Sequence, residues 1–498
     1  MSLMAKQNKL QQANDYIKNN INKVDNTYRQ KYHIMPQIGW MNDPNGFIYY
    51  KGEYHLFYQY HPYSAVWGPM HWAHTKSSDL INWSNLDVAI APDENYDMSG
   101  CFSGSAIEKD GKMYIMYTGH QDPGGFENLR QVQCIAISED GVNFEKYKNN
   151  PVIDTNQLPS DTIIQDFRDP KVFEKNGKYY SVIGSRYKDD CGQILLYSSS
   201  DLLNWKYEGV IARSNGQFAK MWECPDLFEL NGKDVLIMSP QFLEPRGNEY
   251  WNRHSTSYMV GKLNYETCEF DIEKTCEIDY GFDFYAPQTL IDDKGRRIMI
   301  AWMQMWDRNF PTNDLNHNWA GCMTLPRELK LIDNNLYQMP VKELKNLRKD
   351  EVSYQNVNIK ETKSLEGIKG QNLELELEVD MKDSKEFKML LMKGNNQETV
   401  LKYNKDESLF IFDRSKNGKD LGGKEETLRT YRQVNVDLID NKLKLNIFID
   451  TISVEIFIND GIKTMSSTVY PDKESDNIEF ITDKNASMNI KKWTINTK

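Results

Sequence analysis

Three acidic side chains, Asp43, Asp169 and Glu223, stand at the openings of β-rich runs and carry the chemistry this chain could do. Asp43 lies in Trp40-Met41-Asn42-Asp43-Pro44-Asn45-Gly46, directly before Phe47-Ile48-Tyr49-Tyr50. Pro44 cannot donate to a strand ladder and Asn45-Gly46 favours a tight turn, so Asp43 is expected where the chain leaves a turn and enters a strand. Asn42 and Asn45 can donate to its carboxylate and keep it ionised. Glu223 lies between Trp222 and Cys224-Pro225, an apolar setting suited to a general acid. Carboxyl groups in two such different settings make a nucleophile and an acid, the pair that hydrolysis of a glycosidic bond requires. Asp169, beside Arg168, is placed to grip sugar hydroxyls. Each acid alone reads as ordinary turn chemistry. The case for a site rests on their matching places in a repeat.

That repeat has five copies. Asn42–Tyr49 runs through Lys51-Gly52 into Tyr54–Tyr58, and Ser103–Ile107 through Asp110-Gly111 into Met113–Tyr117. Arg168–Phe173 runs through Asn176-Gly177 into Tyr179–Ile183, and Glu223–Phe228 through Asn231-Gly232 into Val235–Met238. The fifth copy joins Tyr285–Leu290 to Ile298–Trp302 through Lys294-Gly295. A glycine after a polar residue, between two β-rich runs, predicts a hairpin. The outer halves repeat as well: Ser78–Trp83 is echoed by Ser138–Phe144 and Ser200–Trp205. Five copies at roughly 60 residues predict radially arranged antiparallel sheets, a five-bladed propeller. The first strands then line the channel, and Asp43, Ser103, Arg168-Asp169, Glu223 and Tyr285 converge at one end of it.

After Pro340 the pattern changes to strict alternation, as in Leu373–Val379 and Leu443–Ile449, which predicts strands with one buried face and a β-sandwich. The expected organisation is therefore all-β: a helical extension over residues 1–32, a propeller over 33–340 and a sandwich over 341–498. Leu10, Ala13, Ile17 and Ile21 recur at helical spacing and predict a helix packed on the body of the protein between about Lys6 and Val24. The formal net charge of -12, with scattered basic residues, argues against nucleic acid as a partner. No apolar run is long enough for a transmembrane helix, and the polar N-terminal stretch does not read as a secretory signal. Seven cysteines without a CxxC pair suit reduced thiols and a cytoplasmic location. The eight histidines lack ligand spacing, so neither a catalytic metal nor another cofactor is expected.

Several ordered segments resemble glycoside hydrolase family 32, the invertases, fructan hydrolases and bacterial sucrose-6-phosphate hydrolases. They are Trp40–Gly46, Phe57–Gln59, Trp67–Trp72, Phe102–Ser105, Phe167–Pro170, Trp222–Asp226, Phe282–Gln288 and Gly321–Glu328. Phe412–Ser415 and Val454–Gly461 resemble the family's sandwich. The resemblance implies Asp43 as nucleophile, Glu223 as acid/base and Asp169 as the stabiliser that binds fructose hydroxyls. It implies a fructose pocket at or near Asn42, Gln59, Trp67, Phe102, Ser103, Arg168, Tyr285 and Trp302. The expected activity is retaining hydrolysis of the fructosyl bond of sucrose or its 6-phosphate, with a small sugar as the partner. Fructan hydrolysis, fructosyl transfer, an inverting glycosidase and a propeller lectin are the alternatives. Arg246, Arg253 and His254 are candidates to meet a phosphate.

Overall fold

The computed structural model describes residues 3–214, 216, 218–423 and 430–496, with side chains from residue 9 onward. The ends of the expected extension and sandwich, residues 1–2 and 497–498, lie outside this range. Four of the five hairpins close through two-residue turns whose residues both have positive φ: Lys51-Gly52, Asp110-Gly111, Asn176-Gly177 and Asn231-Gly232. That is the type I′ turn, whose twist matches the strands it joins. The fifth hairpin, pairing Ile291 with Arg297, turns through a longer loop with Gly295 at φ 73°. The carboxylate of Asp292 holds this loop by accepting from the Lys294 and Arg296 N–H groups.

Each hairpin opens an antiparallel sheet of four strands, the first sheet carrying one strand more. The first strands of the five sheets are Gly39–Tyr50, Gly100–Lys109, Thr162–Lys175, Met221–Leu230 and Tyr285–Ile291. Each packs on the next, and the fifth on the first, so they line a central channel. The result is a five-bladed propeller. In the first sheet Trp319–Ala320 adds a short parallel strand beside Gly39-Trp40, from an excursion between two strands of the fifth blade.

The outer motif is a turn held by its own side chains. Asp79 accepts from the Ile81 and Asn82 N–H groups, and Trp83 Nε1 donates to Leu80 O at 2.8 Å. Asp201, Leu202 and Trp205 repeat this geometry. Leu80 and Leu202 accept positive φ there, and Gly141 stands at the matching place in the second blade. The serine hydroxyls that take part belong to Ser77, Ser138 and Ser199, so two of the three turns start one residue earlier than expected.

The N-terminal helix spans Leu3–Asn20. Ala13 is fully buried, and Leu10 and Ile17 pack on the core that the first and fifth blades share. Ile21, expected on the same face, is 44 % exposed. The helix tightens to a 3-10 turn over Ile21–Lys23, which carries that side chain off the packed stripe.

The C-terminal strands form a sandwich through two long strands, Arg348–Lys363 and Asn477–Ile495, that pair along their length. The first part of Asn477–Ile495 pairs with Glu386–Gly394 and extends one leaf. Its second part pairs with Leu373–Asp380 and extends the other. One apolar core fills the space between, with Leu375, Leu401, Phe412, Ile447, Ile456 and Phe480 fully buried or nearly so. The segment Ile278–Phe284 docks the propeller on a strand edge of this sandwich. Tyr280 N–H donates to Thr464 O (2.9 Å) and Asp283 N–H to Ser466 O (3.0 Å). Gly281 is required between them, because a Cβ there would lie 2.1 Å from Ser466 O.

Candidate active site

All five inner strands lose register at the same height. The irregularities fall at Met41/Pro44, Phe102/Gly104, Arg168/Lys171, Glu223/Asp226 and Tyr285/Gln288, counted on the inner strand of each hairpin. A bulge inserts an unpaired residue and re-aims side chains that a regular strand would alternate. Asp169, Cys224 and Ala286 take up the strain with φ of 65°, 47° and 51°. Pro170, Pro225 and Pro287 follow directly, and Pro44 holds the matching place after Asp43; on an innermost edge a proline forfeits little of the ladder. Asn45 and Gly46, expected in a turn, lie inside the first strand, which loses register again between Asn45 and Ile48. Gly46, at φ 53°, faces the rings of Phe57 and Trp72, so the residue that suggested a turn serves a second irregularity.

The bulges bring the three acids to one pocket. Ser103 Oγ donates to Asp43 Oδ2 at 2.7 Å and Asn42 Nδ2 to Asp43 Oδ1 at 3.1 Å. Trp40 Nε1 fixes Asn42 in turn, at 2.8 Å. Cys224 joins two acids: its thiol faces Asp43 Oδ2 at 3.5 Å and its N–H donates to Asp169 Oδ2 at 3.0 Å. Glu223 accepts from Arg168 Nε at 2.9 Å on one oxygen. Its other oxygen accepts from Gln241 Nε2 at 2.7 Å and from the Tyr285 hydroxyl at 2.5 Å. Asp166 braces Arg168 from behind, at 2.6 Å.

One step down the channel a ring of side chains forms the floor. Asn45 Oδ1 accepts from Gly104 N–H, and Gln288 Nε2 donates to Gly104 O at 2.6 Å. Ser105 Oγ donates to Pro170 O at 2.8 Å. Lys171 pairs with Asp226 at 2.9 Å and donates to Thr289 O at 2.6 Å. These bonds tie every inner strand to another, so the acids above them sit on a rigid base.

Burial and the neighbouring Glu223 charge raise the Asp43 carboxyl above its ordinary range, while the bonds from Ser103, Asn42 and Cys224 pull it back. Burial and the Glu223 charge push Asp169 up to about 7, against the opposing pull of Arg168. Three carboxyl groups around one cation cannot all ionise at little cost, and such groups titrate as a set. A site of this kind holds a proton ready beside an ionised carboxylate.

The sequence matches what this arrangement suggests. Residues 33–340 fit the model for the glycosyl hydrolases family 32 N-terminal domain, and residues 343–497 that for the family 32 C-terminal domain. The chain belongs to glycosyl hydrolase family 32. A sucrose-6-phosphate hydrolase of Bacillus subtilis is 39% identical to it over 477 residues, 94% of each chain. The solved sucrose-6-phosphate hydrolase of Lactobacillus gasseri superposes with a TM-score of 0.86 at 31% identity, covering 97% of this chain and 96% of the other. A Bombyx mori family 32 β-fructofuranosidase variant, solved in complex with sucrose, gives 0.85 at 34% identity, covering 100% and 99%.

In this family 32 chain the other expected pocket residues divide into three groups. Asn42, Ser103, Arg168 and Tyr285 bond the acids directly. Phe102 and Trp67 form a rim, their rings 6.0 Å apart, with Trp67 48 % exposed. Gln59 and Trp302 stand behind the wall. Gln59 Nε2 donates to Cys101 O, and Trp302 is fully buried against Trp40 and Trp306.

The apolar surroundings expected for Glu223 are not what its carboxylate meets, because residues adjacent in a strand face opposite ways. Trp222 turns into the core and donates to Phe218 O, leaving Glu223 among Arg168, Gln241 and Tyr285. Of the three basic candidates, Arg246 stacks on Phe218 and His254 is buried, facing Asp307 at 3.3 Å. Arg253 lies 4.9 Å from the ring of Phe242, next to Gln241.

Gln241, Cys224, Trp306 and Phe310 join the site without having been singled out. Gln241 carried a usable signal: its strand returns to the end where Glu223 stands, and Ser239 pairs with Glu223. Trp306 and Phe310 lie in the excursion of the fifth blade, outside the repeat, and pack on Trp40.

Proposed function

We propose that this chain is a retaining β-fructofuranosidase acting on sucrose, and preferentially on sucrose phosphorylated on its glucosyl unit. The convergence of Asp43, Asp169 and Glu223 at one end of the channel carries this reading. Asp43, buried and oriented by Ser103 and Asn42, attacks the anomeric carbon of the fructosyl unit. Glu223 gives its proton to the glycosidic oxygen, and the glucosyl part leaves as an alcohol. Water then attacks the fructosyl–Asp43 ester; Glu223 takes its proton, fructose departs and both acids return to their first state. Arg168, Gln241 and Tyr285 keep Glu223 aimed at the leaving oxygen. Asp169 holds fructose hydroxyls, and its bond from Cys224 N–H fixes it there. No cofactor enters the cycle.

The relatives named as sucrose-6-phosphate hydrolases, which match nearly the whole chain, support the phosphorylated substrate. Arg253, over the ring of Phe242, the residue that follows Gln241 in the chain, is the cation we place on the leaving-group side. A charge-assisted hydrogen bond to phosphate of ~1.5–3 kcal/mol, if made in the transition state, raises kcat/KM roughly tenfold to a hundredfold. The test is kinetics on sucrose, sucrose 6-phosphate, 1-kestose and inulin side by side. Sucrose 6-phosphate should lead by that factor, and Arg253→Gln should remove most of the lead while leaving sucrose turnover nearly unchanged. Equal kcat/KM for both sucroses at low salt refutes the phosphate preference. A preference for kestose or inulin replaces it with fructan hydrolysis.

A further inference from the structure

A second charged pocket lies where the propeller meets the sandwich, apart from the acids. Arg308, from the fifth-blade excursion, and Arg414, from the sandwich, both face Asp283. All three side chains are at least nine-tenths buried. The shared carboxylate does not satisfy both cations. Asp283 Oδ2 accepts from Arg414, from Thr468 N–H at 2.8 Å and from Thr468 Oγ1 at 2.9 Å. Its other oxygen, itself without a donor among the described residues, forms an ion pair with Arg308 Nε at 3.7 Å, beyond hydrogen-bond reach. Arg308 Nε has no acceptor among the described residues. Its Nη2 reaches only a neutral group, Asn252 Oδ1, at 3.2 Å.

Both guanidiniums also lie over the Phe282 ring, Arg308 at 5.5 Å and Arg414 at 3.8 Å, and Arg432 joins them at 4.3 Å, which sets three like charges around one small aromatic. Beside them is a cavity of about 300 Å³, lined by Arg308, Arg414, Lys419, Thr430 and the backbone of Gly418 and Gly422. Asp420 also lines it, so among the described residues the cations at the cavity and on Asp283 outnumber the carboxylates by one. A buried cation with an idle donor costs stability unless an anion meets it. The planar fork of arginine suits a tetrahedral oxyanion, and the cavity has room for one. Burial and the Arg414 charge lower Arg308 to about 9, still a cation at neutral pH.

We propose that this pocket binds a small tetrahedral oxyanion, inorganic phosphate or the phosphate group of a monoester, between Arg308, Arg414 and Lys419. The anion would bridge the two domains, since Arg308 belongs to the propeller and Arg414 to the sandwich. The neighbouring Asn309 N–H already donates to Gly422 O, which holds the two walls of the pocket together. Trp306 and Phe310, on either side of Arg308 in sequence, touch Trp40 in the catalytic pocket. The oxyanion site is nevertheless separate from the proposed sugar chemistry and does not depend on it.

The experiment is calorimetric titration of the full chain with inorganic phosphate and, in a second arm, glucose 6-phosphate. Thermal scans run in phosphate and in chloride at equal ionic strength. One phosphate per chain should bind, and 20-fold excess over its dissociation constant should raise Tm by roughly 2 °C over chloride. Arg308→Gln should abolish both effects, whereas Asp43→Asn and Arg253→Gln should keep them. Tighter binding of the monoester with the same dependence on Arg308 assigns the site to a phosphate ester, and equal binding assigns it to free phosphate. Should Arg308→Gln fail to fold, Lys419→Gln, on the exposed rim, should weaken binding at least threefold. No gain over chloride, a gain untouched by Arg308→Gln or Lys419→Gln, or a gain lost with Asp43→Asn overturns the proposal.

Discussion

His33 joins the segment before the first blade to the sandwich, and its charge makes a sharp prediction. Its Nδ1 lies 2.7 Å from Asp450 Oδ2 and its Nε2 lies 3.0 Å from Glu455 Oε1, all fully buried. Each nitrogen faces a carboxylate oxygen, so both must carry hydrogen and the ring is an imidazolium. Burial opposes that charge, but the bonds and charges of Asp450 and Glu455 outweigh it and push His33 up from 6.5 to about 9. A histidine raised in the folded state adds stability that is fully present below about pH 6.5 and is lost as pH climbs through 9. The shift of roughly two and a half units is worth about 3 kcal/mol at ~1.36 kcal/mol per unit.

The assay is Tm of the wild type and of His33→Gln between pH 6 and 10. Taking the difference cancels the titrations that the two chains share. The gap should shrink by roughly 3 °C across that range if the whole chain melts as one unit, and by roughly 9 °C if the sandwich melts alone. A gap that stays constant with pH would mean the ring is neutral or its charge contributes nothing, and the linkage argument fails.

Three further outcomes follow from the catalytic pocket. Asp43→Asn should keep Tm and sugar binding but lower kcat at least about a thousandfold, since covalent catalysis has no substitute nucleophile; retention of a tenth of the turnover excludes the role. Glu223→Gln should slow sucrose far more than an aryl fructoside whose leaving group needs no proton, and equal losses on both would count against an acid. Asp169→Asn should melt higher than the wild type at pH 8 while losing kcat. Its carboxyl is raised to about 7 in the fold, so the charge costs nothing below about pH 4 and its full amount above 7. A Tm difference that does not grow from pH 4 to 8 contradicts that sign.

Much of the fold was legible because its signals are local. A type I′ turn needs two positive-φ residues, and Lys51-Gly52, Asp110-Gly111, Asn176-Gly177 and Asn231-Gly232 state that need in two letters each. Strict alternation in Leu373–Asp380 stated which face of a sandwich leaf is buried. The fifth-blade excursion was not legible. Its short helix Pro311–Asp314 and the strand Trp319–Ala320 belong to no repeat and are fixed by distant partners such as Gly39-Trp40. Ile21 failed for a related reason: periodicity extends a helix on paper, whereas the chain tightens at Ile21 itself.

The site divides along the same line. Asp43 and Asp169 stood out as candidates because each precedes the proline of its own copy of the repeat, with Glu223 one residue earlier in its copy, and radial symmetry turns neighbouring places into shared space. What they meet there depends on the bulges, which no single strand announces. A regular strand through Trp222-Glu223-Cys224 would send Trp222 and Cys224 to one side and Glu223 to the other. The irregularity at Glu223/Asp226 instead lets Cys224 turn its thiol to Asp43 and its N–H to Asp169. Cys224 thereby couples the residue proposed to attack to the one proposed to hold the sugar, although its side chain is neither acid nor base in the reaction. Prolines at 44, 170, 225 and 287 are the nearest thing to a written sign of this. A proline repeated inside the innermost strands conflicts with a continuous ladder, and that local conflict marks the height in the channel where the chemistry sits.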